Sequence, residues 1–382
     1  MTTMVLPTEN TSLISLLNAT LMEDNPMMAS DTAMHTFYKN YGRVHGYVSN
    51  VVCIFGVVSN ILNVIVLTRR HMITPTNCIL TALAIADFLT MLTYLVYATY
   101  FYIAKEPKWE VDHSQGWMYF ILVHNHFIIT CHNMAMWFTV SLAVFRYIFV
   151  CHHVIGNRLC SLNRAILTIS IIVIATTFVC IPNYFLYKVV TLKEMGVNLS
   201  GYWIVDSDIV KEHNFFKVSI FWFFGVIMKV APCILLTLLS SMIILTMHQA
   251  SKRRVRLLQQ TRSSDHDVNH EHNRTTWMLV SVVLFFVITE MPQGILAMVS
   301  GLNDHFFYEY YSNLGDVMDL LVLLNSAVNF VLYCIMSQQF RDTFKNLFVV
   351  NWPCRSKNYG KVNGHQNGVT HYKTVTTEVT ML

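Results

Sequence analysis

Asp87, Lys229, Glu290 and Asp319 stand inside long apolar runs of this chain. A charge in such surroundings is costly, so each of these side chains needs a partner or a task. Two chemistries are open to Asp87, which closes the run Leu83-Ala84-Ile85-Ala86-Asp87. It can be hydrogen-bonded glue between neighbouring segments. Alternatively, with Asn60, Asn325, Ser326 and Asn329, it can hold water or a small hard cation such as sodium. Bond-making chemistry is not indicated: the sequence offers no metal-ligand cluster, nucleophile arrangement or phosphate loop, so neither an enzyme nor a cofactor is expected.

The elements that must position these groups are apolar and long. The chain has 382 residues, 54% hydrophobic and 13% charged, and its apolar residues fall in runs rather than at amphipathic spacing, unlike a soluble domain. Seven stretches are long enough to cross a hydrocarbon core, which takes about 20 residues of helix. They are Gly46–Thr68, Asn77–Ile103, Trp117–Val150, Leu162–Tyr187, Phe215–Met247, Thr276–Gly301 and Ser312–Ser337. The expected fold is an all-α membrane protein, a seven-transmembrane helix bundle followed by a short amphipathic cytoplasmic helix over Phe340–Phe348. Residues 1–44 read as a disordered extracellular tail, 45–350 as the helical domain and 351–382 as a disordered cytoplasmic tail.

Lys and Arg set the orientation. Arg69 and Arg70 lie in the first connection, Arg146, Arg158 and Arg164 at the third, and Lys252, Arg253, Arg254, Arg256, Arg262 and Arg274 in the fifth. The odd connections are therefore expected inside and the N-terminus outside. The sequons at Asn10, Asn18 and Asn198 fall on the outer side as N-glycosylation sites, whereas the one at Asn273 falls inside. No cleavable signal peptide is evident, which leaves targeting to the first stretch. A net charge of +4 without a basic, aromatic-interleaved run excludes a nucleic-acid partner.

Six signatures occur in order along the stretches. They are Asn60, the run ending at Asp87, Arg146-Tyr147, Pro232, Pro292, and Asn325-Ser326-x-x-Asn329-x-x-x-Tyr333 followed by Phe340-Arg341. In this the chain resembles the rhodopsin-like G-protein-coupled receptors over about residues 45–350. The sixth stretch reads Phe286-x-x-Thr289-Glu290-Met291-Pro292-Gln293-Gly294, and the seventh Asn329-Phe330-Val331-Leu332-Tyr333. These variants resemble the invertebrate myosuppressin and FMRFamide-like peptide receptors, related to the sex-peptide receptor. The resemblance implies a plasma-membrane receptor for an amidated peptide ending in Arg-Phe-amide. It further implies coupling to a heterotrimeric G protein of the Gi/o type, with arrestin as a further inner partner. Arg146, Tyr147, Tyr333, Phe286 and Pro292 are the positions it assigns to activation and coupling.

The chain also departs from the general pattern of that class. Phe145 replaces the acid before Arg146, Glu290 the Trp ahead of Pro292, and Phe330 the Pro after Asn329. The usual outer disulfide is absent: its third-helix position falls at Ile121, and Lys188–Asn214 holds no cysteine. In the class's helix arrangement Lys229 and Glu290 approach each other, about 20 Å in from the outer end. Either they form an ion pair at the floor of the pocket, or both face a watery cavity with Glu290 protonated. For an Arg-Phe-amide ligand, Asp319 is the expected guanidinium partner, and the acids Asp304, Glu309 and Asp316 would steer approach. His126, Thr130, Tyr94, Phe221 and Gln293 are candidate lining residues, His126 equally readable as an interior group. Cys354 is a candidate palmitoylation site. Lys252–Arg256 can meet a G protein or anionic membrane lipids, and Thr380-Met381-Leu382 matches what PDZ domains accept. A retinal protein is excluded because the Schiff-base lysine position holds Leu323, and an amine receptor because the ammonium-binding position holds Ile128. A channel, a transporter or a receptor for an unrelated peptide stays open.

Overall fold

The computed structural model describes residues 33–104, 114–152, 156, 158–195, 200–260, 285–300, 306, 310–311 and 313–350. Among them, six helices are long and apolar enough to cross a membrane, and Phe285–Ser300 is a shorter apolar helix. The first, α1, spans Ala33–Leu67. It therefore takes in residues 33–44, which the sequence assigns to a disordered tail. The cause is local: Phe37, Tyr41 and His45 recur every four residues and lie along one helix face. Their ring centroids are 5.7 Å and 5.5 Å apart.

Pro75 opens α2 (Pro75–Ala98), and Thr74 caps it by accepting from the Asn77 N–H at 3.1 Å. It widens at its end into a π-helical turn, Thr99–Ala104. The third helix, α3, is Gln115–Cys151. The fourth, α4 (Leu162–Cys180), tightens into a 3-10 segment, Ile181–Phe185, with Pro182 in its first turn. The fourth stretch thus stops short of Tyr187, which instead begins a strand.

That strand, β1 (Tyr187–Thr191), pairs antiparallel with β2 (Tyr202–Asp206), Tyr187 facing Asp206 and Thr191 facing Tyr202. Two features hold the hairpin down. Ile204, 5% exposed, is buried in one apolar cluster with Ile121, Tyr97 and Met118. Lys188 grips both Asp208 oxygens at 2.6 and 2.7 Å, holding that exposed carboxyl below the usual carboxylate range. The eight described cysteines are free thiols, and Ile121 stands where the class pattern has its cystine.

The fifth helix, α5, runs through Asn214–Phe223, a π-helical segment Phe224–Val230, and Ala231–Gln260. Pro232 has no N–H to donate to the carbonyl four residues back. Just ahead of it the backbone widens, with the Ala231 N–H bonded to the Val226 carbonyl, and Lys229 is carried on this wide turn. The remaining helices are α6 (Phe285–Ser300), α7 (Gly315–Met336) and α8 (Gln338–Lys345). Residues 276–284 and 301 of the expected sixth stretch lie outside the described residues.

At the centre α3 packs on α2, α4 and α5, while α1 packs on α2 and α7. The approach of α1 to α2 depends on glycine: a Cβ on Gly56 would collide with Met91 Sδ, and one on Gly46 with Tyr102 Cβ. Large apolar side chains point away from the bundle, Ile174 at 70% and Phe178 at 73% exposed. In water this would be an unprotected patch; against lipid it is the expected face. The chain divides into two compact units after Thr343. In the second, the Phe344 and Phe348 rings lie 4.9 Å apart.

Candidate functional site

Four helices meet at Glu290. Its carboxylate is 0% exposed, and a charge so placed must have partners on both oxygens to be tolerated. Oε2 lies 3.1 Å from His132 Nε2 of α3 and 3.5 Å from Lys229 Nζ of α5. Oε1 accepts from Asn325 Nδ2 of α7 at 3.3 Å. Lys229 also donates to Gln293 Oε1, one turn along α6 from Glu290. The structure brings Lys229 to Glu290, as in the pairing alternative, and adds Gln293, which the sequence offers only as a lining residue. His132 and Asn325 complete the network, and neither was foreseen in it. His132 was visible only as one more histidine in an apolar run, beside His124 and His126.

One helical turn further along α7 lies the second polar site. Asn329 Nδ2 donates to Asp87 Oδ2 at 2.9 Å, with Ser326 near the same carboxylate. Asn60 Nδ2 reaches the Ser326 carbonyl at 3.2 Å. Asn325, grouped with Asp87 from the sequence, turns instead to Glu290. Between the two sites is a cavity of about 20 Å³, lined among others by Asp87, His132, Asn325 and Asn329. A water needs roughly 10–15 Å³, so one fits. A hard cation prefers about six oxygen ligands; of the two amides grouped with Asp87 from the sequence on α7, Asn329 bonds its carboxylate and Asn325 bonds Glu290.

The third cluster lies at the hairpin end of α1, α2, α3 and α7. Tyr94 donates to Asp319 Oδ2 at 3.4 Å. The His45 Nε2 to Tyr94 Oη distance is 2.9 Å, and His45 Nδ1 lies 3.4 Å from Tyr41 Oη. With the Tyr94 proton given to Asp319, His45 Nε2–H must donate to Tyr94, and Nδ1 then accepts from Tyr41. Tyr102 donates to Asp316 Oδ1 at 2.7 Å. Asp316 and Asp319 are 1% and 3% exposed, so Asp316, expected among the acids that steer the ligand's approach, is buried within the helix. Tyr94 and Asp319 are therefore neighbours. Glu290 bonds α3, α5 and α7, whereas Asp319 bonds Tyr94 of α2, so the candidate residues fall into two groups.

Other candidates lie elsewhere. His126 packs on Tyr184 at the end of α4, ring centroids 4.6 Å apart, and Thr130 Oγ1 bonds back to the His126 carbonyl at 2.8 Å. Both face α4 rather than Asp319 or Glu290. The Phe221 side chain lies outside the described residues, as do Asn10, Asn18, Asn198, Asp304, Glu309, Cys354 and Thr380–Leu382. At the other end of the bundle, Arg146 lies within electrostatic reach of Tyr333, and among the described residues no carboxylate pairs with it. Phe145 is buried and its carbonyl takes the Cys160 thiol at 3.5 Å. Tyr147 packs on Ile243 and Met247, and Phe286 on Met136, Val140 and Leu236. Pro292 lies part-buried on α6, two residues beyond Glu290. Phe340 of α8 is enclosed by Tyr333 at 5.7 Å and Phe330 at 6.0 Å.

A seven-helix bundle with a polar core and these helix signatures agrees with what comparison finds. The sequence profile of the serpentine-type seven-transmembrane G-protein-coupled chemoreceptors (Srw) matches residues 47–351. The chain belongs to this receptor family. It is 30% identical over 354 residues to a G-protein coupled receptor of Caenorhabditis elegans, dmsr-1, covering 82% of this chain and 69% of that one. To the sex peptide receptor of Drosophila melanogaster it is 27% identical over 366 residues, covering 93% and 84%. To the FMRFamide receptor of the same fly it is 24% identical over 312 residues, covering 80% and 54%. The protein is thus a multi-pass membrane receptor and not an enzyme, and the resemblance carried by the signatures from Asn60 to Tyr333 holds.

Proposed function

We propose that this receptor answers an amidated peptide ending in Arg-Phe-amide at the hairpin end of the bundle, and signals through Gi/o. The single observation that carries the reading is Asp319, a carboxylate buried beside Tyr94 and among further aromatic rings. Such a site matches a guanidinium followed by a phenyl ring. The names borne by two relatives, FMRFamide receptor and sex peptide receptor, support a peptide ligand. On this reading the hairpin end faces outward at the plasma membrane, with the N-terminus outside, the sequons glycosylated and Asp316 and Asp319 drawing the cation in. Arg146, Tyr147 and the basic run from Lys252 then lie inside for the G protein and arrestin. Phe340–Phe348 lies along the inner leaflet, Cys354 carries a palmitoyl chain and Thr380–Leu382 engages a PDZ domain. The Glu290 network takes the place of the aromatic toggle and transmits ligand contact from Gln293 to α3, α5 and α7.

The test is a screen of synthetic amidated peptides on cells expressing the full chain, read by biosensors specific for each G-protein class. Arg-Phe-amides should activate Gi/o sensors, and replacing Asp319 by Asn should weaken them at least tenfold, as expected for a lost charge-assisted contact. Silence of Arg-Phe-amides with a response to another chemical class would overturn the reading.

A further inference from the structure

Asp316 precedes Asp319 by one helical turn on the same side of α7 and is equally buried, at 1% exposed. Tyr102 satisfies one of its oxygens. The other, Oδ2, has no hydrogen-bond partner among the described residues, an omission that a buried carboxylate oxygen does not normally tolerate. That oxygen faces α1 where the helix has no side chain: a Cβ built on Gly42 would sit 3.8 Å from it. Around the two carboxylates stand Tyr41 and His45 of α1 with Tyr94, Tyr97 and Tyr102 of α2, each through a hydroxyl contact, a ring contact or electrostatic reach. No described Lys or Arg pairs with Asp316, and Arg43, the basic residue next to Gly42, is exposed.

Two like charges one turn apart in a medium poor in water are kept only for something that binds both. Aromatic faces around them add attraction for a cation. A guanidinium fits this arrangement better than an ammonium, because its planar fork can reach two carboxylates while its face lies against a phenol ring. We infer that Asp316 is a second recognition residue, which with Asp319 clamps one guanidinium of the ligand inside the tyrosine cage and so selects arginine over lysine. The inference rests on the peptide reading above and names the residue that sharpens it.

The experiment uses the full-length receptor in cells, with the synthetic peptide Phe-Met-Arg-Phe-amide and its analogues bearing lysine or the neutral isostere citrulline at the arginine. G-protein activation gives potency, and surface labelling of an epitope tag normalises it. Wild type should prefer arginine to citrulline by on the order of a hundredfold. In Asp316→Asn the gap should shrink by about tenfold, through loss for the arginine peptide alone, and the preference for arginine over lysine should narrow with it. Asp316→Glu, which keeps the charge, should retain most of the gap and covers the case in which the amide variant fails to reach the surface. Equal loss for all three peptides in Asp316→Asn, with the gap intact, would make Asp316 a structural residue or one met by water, and would overturn the inference. If that result comes with a reduced gap in Asp319→Asn, the peptide reading survives without it. If neither variant narrows the gap, or the arginine peptide is silent on wild type, both fall.

Discussion

Glu290 shows what one buried carboxylate demands. Lys229 supplies a charge, yet at 3.5 Å it is the longer of the two contacts to Oε2, and His132 at 3.1 Å is the shorter. The network therefore depends on a histidine as much as on the ion pair. Replacing His132 by Ala should cost about 1–3 kcal/mol, because the carboxylate keeps its burial and loses a donor. A thermal melt of the detergent-solubilised receptor measures this, and an unchanged midpoint would remove His132 from the network. An exchange of Lys229 and Glu290 should restore little, since it would set a lysine against His132 and the Asn325 amide.

At the scale of elements, the β1–β2 hairpin is held where the class pattern has a cystine and this sequence has none. Ile204 enters the cluster around Ile121, so the tether is apolar burial at the position where the class pattern puts a sulfur bridge. Two outcomes follow together. A membrane-impermeant reductant should leave agonist potency within about twofold, and Ile204→Ala should cost at least about 2 kcal/mol by leaving a cavity, read as lowered surface expression and melting temperature. Unchanged surface expression and melting temperature in Ile204→Ala would show that Ile204 does not carry the tether. Helix α5 obeys the same logic of local cause, because Pro232 forces the wide turn that carries Lys229.

For the whole molecule, the question is how the resting state is held. Arg146 lies within electrostatic reach of Tyr333 of α7, and no described carboxylate restrains it, since Phe145 fills the place of the usual acid. Introducing Phe145→Asp should therefore favour the resting state and lower ligand-independent G-protein activation by roughly five- to tenfold, the range of a modest coupling energy. Basal activity in transfected cells, matched for surface level, is the measurement. No fall, or a rise, would mean that the bundle is held at rest from elsewhere, the Glu290 network being the next place to test.

Span number and span order were legible from residue order alone. Both are one-dimensional properties: hydrocarbon thickness fixes span length, and a rise of about 1.5 Å per residue fixes how far along its own helix a side chain lies. Residues 33–44 were misread because a polar composition hid the four-residue spacing of Phe37, Tyr41 and His45. What only the tertiary structure decided is which polar groups meet. Asn325 and Asn329 lie one turn apart on the same helix, yet one serves Glu290 and the other Asp87, because rotation and register against α2 and α6 choose the partner. Asp316, expected to steer the ligand's approach, is likewise buried because α7 packs against α1. Sequence spacing places a side chain along its own helix; what faces it across the bundle is set by the packing of other helices.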